Sequence, residues 1–217
     1  MAVAFVRGAI SASGASTSVT VATPPTAGNV LIAIGNYVGT ATPTFSDNLS
    51  STWTVYTTTS ALYNSSGNSM FAAYRVAVSG DSALTSITTS GNTPQGIDYL
   101  ELSGAATGIT NAVATNNVAS AATLTTSAFT TSAAGMVITT VGVTGGSSTP
   151  GTWTGTHVMT NVATTATRCY SGYYSSASGE SAQTYTAVWT TSHPSGALTI
   201  NVGPATGNTG AGFLGLL

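Results

Sequence analysis

Only eight side chains in this 217-residue chain carry a formal charge: Arg7, Arg75 and Arg168, with Asp47, Asp81, Asp98, Glu101 and Glu180; there is no lysine. Acid–base work of the glycosidase kind needs two carboxyls facing one cleft. The closest pair, Asp98 and Glu101, lies three apart in Ile97-Asp-Tyr-Leu-Glu-Leu102, and on a strand that odd spacing sends the two to opposite faces. Glu101 is therefore expected to pair with an arginine such as Arg75, or to cap a sheet edge. Ser46-Asp47-Asn48 offers one acid where calcium takes about six to eight oxygens, so it reads as an Asx turn. Cys169 stands alone, as do His157 and His193, and none sits in a nucleophile motif. Asn48-Leu-Ser50 and Asn64-Ser-Ser66 fit the glycosylation pattern, but a chain this rich in Ser and Thr produces such matches by chance. The expectation is a protein with no catalytic residue, no metal and no cofactor: not an enzyme.

What must position these few groups is β-structure. Charged residues make up 4% of the chain, against about 25% in an ordinary soluble domain. The hydrophobic fraction of 42% and mean hydropathy of +0.28 nevertheless suffice for a core, which separates this composition from disorder. Thr17-Ser-Val-Thr-Val-Ala-Thr23 and Thr52-Trp-Thr-Val-Tyr-Thr57 alternate polar with apolar residues, the period of a half-buried strand. Val30-Leu-Ile-Ala-Ile34, Met70-Phe-Ala-Ala-Tyr74 and Met136-Val-Ile-Thr-Thr-Val141 are apolar throughout and read as central strands covered on both faces. Turn residues fall between them at Pro24-Pro25, Gly28-Asn29, Asp47-Asn48, Gly80-Asp81, Gly145-Gly146 and Gly179-Glu180.

The order of these elements repeats. Thr26-Ala-Gly28-Asn29 leads into one apolar strand and Ser132-Ala-Ala-Gly135 into another. Ser79-Gly80-Asp81 is answered by Ser178-Gly179-Glu180. Aligning the glycines gives offsets of 107 and 99, as if one half had lost about eight residues from a loop. The sequence therefore predicts a single all-β domain over 1–217. It is a double-sheet antiparallel sandwich, jelly-roll-like, of about twelve strands, with related halves at 17–105 and 118–204.

Two groups of residues are candidates for contact with something else. Trp53 and Trp153 are the candidates for a sugar platform, although strand parity places most of the aromatics in the core. Phe213, Leu214, Leu216 and Leu217 form an apolar tail after a glycine-rich lead, expected to make a last strand in the fold or to dock on a neighbour. A net charge of −2 gives no long-range attraction for nucleic acid or anionic lipid. No run reaches the roughly 18 apolar residues of a membrane span. Met1–Val6 is too short for the apolar core of an export signal, so cytosolic synthesis is expected.

Gly28-Asn-Val-Leu-Ile-Ala-Ile34 after a Pro-Pro-Thr-Ala turn, Phe45-Ser-Asp-Asn48 with Thr52-Trp-Thr54, Tyr74-Arg-Val-Ala77 and Tyr99-Leu-Glu-Leu-Ser-Gly104 follow one another in an order that resembles the β-sandwich modules of phage virion proteins and bacterial surface proteins. The resemblance covers about the first 105 residues, and Leu49-Ser-Ser51 departs from the Gly-Asn of the family's turn. It implies sandwich architecture and no catalytic residues. Together with the missing lysines it leads to the expectation of a virion protein, a decoration (cement) protein bound to the major shell protein and to copies of itself. The alternative is a glycan-binding or adhesive module on a cell surface, in the extracellular space or on a phage tail.

Overall fold

β-Branched and small residues alternate through most of this chain, and side chains of that kind pack well on a pleated surface. In the computed structural model, residues 1–11, 18–39, 43–57, 68–90, 93–143, 151–162 and 169–205 are described, without the side chains of 68, 93–95 and 116–119. The apolar tail Phe213–Leu217 lies outside them. The described residues form fourteen strands and one 3-10 turn, Ser79–Ala83; about twelve strands were expected. In the first half these are β1 (Ala4–Ile10), β2 (Ser18–Thr20), β3 (Val30–Val38), β4 (Thr44–Asp47), β5 (Thr54–Thr57), β6 (Asn68–Val76), β7 (Ser86–Ser90) and β8 (Thr93–Ser103). The second half holds β9 (Asn111–Thr125), β10 (Gly135–Val143), β11 (Thr152–Thr154), β12 (Thr160–Asn161), β13 (Cys169–Ser176) and β14 (Thr186–Val202).

The first half pairs β1-β8-β3-β6-β5 in one antiparallel sheet and β2-β7-β4 in another. Strands one, eight, three and six beside two, seven and four is the order of an eight-stranded jelly roll. The second half repeats it as β9-β14-β10-β13-β12, with β11 on the other flank of β14. There β9 does the work of β1 and β2 in one strand, since its start pairs with the end of β14 and its end with the start of β14. β14 likewise replaces β7 and β8.

The register fixes the equivalence residue by residue. Val30 pairs with Val76 and Leu102, and Met136 pairs with Ser175 and Val202. Asp47 faces Ile87 as Trp153 faces Ala187, and Thr54 faces Tyr74 as Thr160 faces Tyr173. The offset is thus 106 through β3, β4 and β5, not the 107 obtained by aligning glycines. It drops to 99 at β6, so the second half is seven residues shorter there. The turn before β3 shows why glycine misled. Gly28 has φ +89 and its equivalent is Ala134, with φ +53. Asn29 N–H bonds Thr26 C=O just as Gly135 N–H bonds Ser132 C=O, both at 3.1 Å. Gly135 is glycine for another reason: a Cβ there would stand 3.0 Å from the carbonyls of Ser132 and Val202. The halves also begin earlier than 17 and 118, at Ala4 and Asn111.

Each half encloses its own core, one around Leu31, Phe71, Ile87 and Tyr99, the other around Val137, Trp153, Tyr170 and Tyr185. A third core lies between them, formed by Ile32, Ile34, Leu100, Ile138, Leu198 and Ile200 among others. The expected sandwich of antiparallel sheets is present and built twice over: each half encloses a core of its own, and the five-stranded sheet of the first stacks face to face on the six-stranded sheet of the second. That explains why Val30–Ile34 and Met136–Val141 are apolar at every position or nearly so: each strand has one core on either side. β8 lies on β13, β14 on β6 and β3 on β10. Since β14 is the equivalent of β8 and β6 of β13, the halves are related by a pseudo-twofold axis at β3 and β10.

Gly35 on β3 has no room for a side chain. A Cβ there would overlap the Gly96 carbonyl and stand 2.7 Å from Phe71 Cζ. Because the obstacle is backbone in the same sheet, Gly35→Ala is expected to destabilise by at least about 1–3 kcal/mol, the usual cost of overpacking. Urea unfolding of the two proteins checks this, and an unchanged midpoint would contradict it.

Candidate functional site

Most of the charge among the described residues faces inward. Arg75 on β6 points into the first core, where its guanidinium meets Asp81 through two bonds, Nη1 to Oδ2 at 2.7 Å and Nη2 to Oδ1 at 2.9 Å. Nη2 also lies 3.2 Å from Asp47 Oδ2, and the guanidinium carbon sits 5.2 Å from the centre of the Trp53 ring. Trp53 Nε1–H donates to Asp47 Oδ2 at 3.1 Å, and the backbone N–H groups of Leu49 and Ser51 donate to Asp47 Oδ1 at 3.0 and 2.9 Å. Burial raises the Asp47 pKa, but the bonds from Ser51, Trp53 and Leu49 outweigh it and hold the carboxyl below its ordinary value. With both oxygens engaged, Asp47 closes an Asx-type turn and has no lone pair directed at a metal. Asn48 is equally occupied: its amide donates to Ala83 C=O and accepts from Thr85 and Ser86 N–H. Asn64, of the other glycosylation pattern, lies outside the described residues.

Glu101 on β8 pairs with Arg7 of β1, Nε to Oε2 at 2.9 Å, rather than with Arg75. Its Oε1 accepts from Thr26 N–H at 2.8 Å and from the Asn29 amide at 2.6 Å, so it fastens the turn that starts β3. Asp98, three residues earlier, faces the opposite way into the seam between the halves, as the spacing required.

The second half holds the same positions with little charge. Glu101 becomes Asn201, which accepts from Ser132 N–H at 3.3 Å and donates to the hydroxyls of Ser132 and Thr110 at 2.7 Å each. Asp47 becomes Trp153, Trp53 becomes Met159, Arg75 becomes Tyr174 and Asp81 becomes Glu180. Trp153 Nε1–H finds Asn161 Oδ1 at 2.7 Å. Glu180 lies 3.2 Å from His157 Nε2, and the His157 ring meets Tyr174 edge-on. One structural task, fastening the end of the sandwich, is done by an ion network in one half and by hydrogen bonds, rings and a single carboxylate in the other.

Trp53 and Trp153 are 7% and 5% exposed. Neither presents a ring face to solvent, so neither serves as a sugar platform. Among the described residues no three His, Cys, Asp or Glu side chains gather as a metal would need. No helix among them is long and apolar enough to cross a membrane.

At the seam, Ser171 on β13 hydrogen-bonds Asp98 Oδ2, while Asp98 Oδ1 is buried without a partner. Burial pushes the Asp98 pKa up to about 7 against the lowering effect of Ser171. Cys169, the only cysteine, lies beside it with its thiol 3.1 Å from Thr140 Oγ1; burial first and the Asp98 charge second push that thiol up. Sequence reasoning found the residue but not its setting, because nothing in Ile97–Leu102 reveals that a second sandwich covers it. One end of the seam opens into an apolar hollow of about 360 Å³ bordered by Ala2, Val3, Ala134, Gly135 and residues 175–177.

The described surface is mostly hydroxyl, amide and apolar groups, Tyr56, Val78 and Val158 among the larger of them. Asp47, Arg75, Asp81, Asp98 and Glu101 are buried, Arg7 is half-buried against Glu101 and Glu180 half-buried beside His157, and Arg168 lies outside the described residues. Comparison with known protein families, curated proteins and solved structures finds no match to this chain.

Proposed function

We propose that the chain is a non-enzymatic structural protein of a virus particle, a decoration protein seated on the shell lattice of a phage capsid and in contact with copies of itself. The observation that carries this reading is the charge-poor described surface. A protein that works alone in solution stays dispersed by surface charge and guards its sheet edges with lysine. Of the seven charged side chains among its described residues, this one buries five and half-buries the other two. A neutral surface rich in Ser, Thr and Asn is suited to lie against neighbours, where backbone and hydroxyl hydrogen bonds make the contacts and no like charges repel. Two stacked jelly rolls supply broad sheet faces for such packing.

The test is reconstitution on particles of the source virus stripped of the protein. Binding at a fixed ratio to the shell protein is expected, and it should persist at about 1 M salt, where the Debye length is about 3 Å and surface ion pairs are screened. Release by moderate salt with the fold intact, or absence of the protein from particles, would overturn the reading.

A further inference from the structure

The seam between the halves is apolar over most of its area, with one polar spot: the carboxyl of Asp98, with Ser171, Thr140 and Asn36 around it. The equivalent of Asp98 is Leu198, and the equivalent of its partner Ser171 is Ala72; both are fully buried in the seam core. One arm of the interface thus has a leucine over an alanine, and the other a carboxyl over a hydroxyl. Among the described residues no hydrogen bond or ion pair supports this carboxyl beyond Ser171. The elements packed on it contribute Cys169 and Ser171 from β13, Thr140 from β10 and Asn36 from β3, and Cys169 is the only titratable group among these. Arg7 and Arg75 lie on the other face of the sheet, and among the described residues no cation stands against Asp98. A neutral carboxyl fits the site with one hydrogen bond, whereas a carboxylate leaves charge in an apolar seam with one oxygen bare.

We propose that the seam between the two jelly rolls is a proton-operated latch: with Asp98 protonated the halves stay closed, and with its carboxylate charged they part along β8 and β13. The inference stands independently of the virion reading. Opening places Asp98 in water, where an aspartate has a pKa near 3.9, while the closed state holds the proton up to about pH 7. The open state therefore binds fewer protons across that window. Opening becomes about tenfold easier per pH unit between about pH 4 and pH 7 and then levels off.

Cys169 supplies the readout, since its buried thiol sits in the same seam. The full chain is labelled with a thiol reagent from about pH 5 to about pH 9, each rate divided by that of the urea-unfolded chain at the same pH. The normalised rate should rise about tenfold per unit to near pH 7 and then flatten. Asp98→Asn and Asp98→Leu should each abolish the slope, the first keeping the hydrogen bond to Ser171 and the second restoring the apolar arm. His157→Gln and His193→Gln should leave it intact. A flat wild-type profile, or a slope retained in both Asp98 variants, would overturn the latch. So would labelling whose urea dependence equals that of global unfolding, because the thiol would then report loss of the whole fold rather than parting of the seam.

Discussion

Replacing Arg75 with methionine is expected to cost about 3–5 kcal/mol, the usual penalty for removing one partner of a buried ion network. The stem would still pack, so the loss isolates the guanidinium. Asp81 would keep only the Val78 N–H at 2.8 Å, and Asp47 would keep its turn bonds and the Trp53 indole. Two carboxylates would then face each other in the first core with no cation between them. Arg75→Lys should recover only part of the loss, because an ammonium cannot make the two parallel bonds to Asp81 and lie against the Trp53 ring together. In the second half the equivalent Tyr174→Phe should cost far less, as no buried charge depends on it. Chemical denaturation of the three variants gives the comparison; equal destabilisation by Arg75→Met and Tyr174→Phe would sink the account.

A second large effect is expected when the halves are separated. A fragment of residues 1–106 carries all eight strands of the first jelly roll and its own core, but bares Val30, Ile32, Ile34, Met70, Leu100 and Leu102 on one face. An exposed apolar patch of that kind promotes association. The natural solution is to replace the pseudo-twofold with a true one, β3 packing on β3 and β8 on β6 of a second copy. The expected product is a homodimer, in which each Asp98 would face Ala72 and find no hydroxyl. Its stability should therefore fall more steeply than that of the whole protein as the pH rises from about 4 to about 7. Sedimentation of the fragment tests this, and a soluble monomer at high concentration would show that the seam adds little.

Strand content, the existence of a repeat and the turns at described positions were legible in the sequence because each has a local cause; the turn expected at Gly145-Gly146 lies outside the described residues. Alternation at Thr17–Thr23, the turn at Gly28 and the wholly apolar runs of β3 and β10 are all set by neighbours in the chain. The doubly apolar character of those runs also held the key to the layering: a strand with no polar side must have cover on both faces, and two sheets alone supply cover on one. Registration was not legible. Composition put Gly28 against Gly135, yet the left-handed residue in the second half is Ala134, and a one-residue slip exchanges every side chain between the seam and the inner core. The partner of Glu101 was missed for a related reason. Arg7 and Arg75 both stand on strands of the five-stranded sheet, and only the order β1-β8-β3-β6 reveals that Arg7 is adjacent and Arg75 two strands away. His193-Pro194 falls inside β14. The structure carries the strand through it with register shifts between Val188 and Ser195, at the kind of irregularity where a sheet accepts proline.

The backbone at the junction of the halves carries a consequence for how such a chain can be rearranged. Ala205 N–H bonds Gly104 C=O, Ala106 N–H bonds Gly203 C=O, and a Cβ on Gly104 would stand 2.5 Å from the Ala2 carbonyl. Three passages of the chain, at residues 2, 104–106 and 203–205, therefore lie side by side. A short linker between residues 205 and 2, with new ends cut between 105 and 106, would disturb almost no pairing. The order in which the two jelly rolls are encoded is thus a historical choice rather than a physical requirement: the same object can be written second half first.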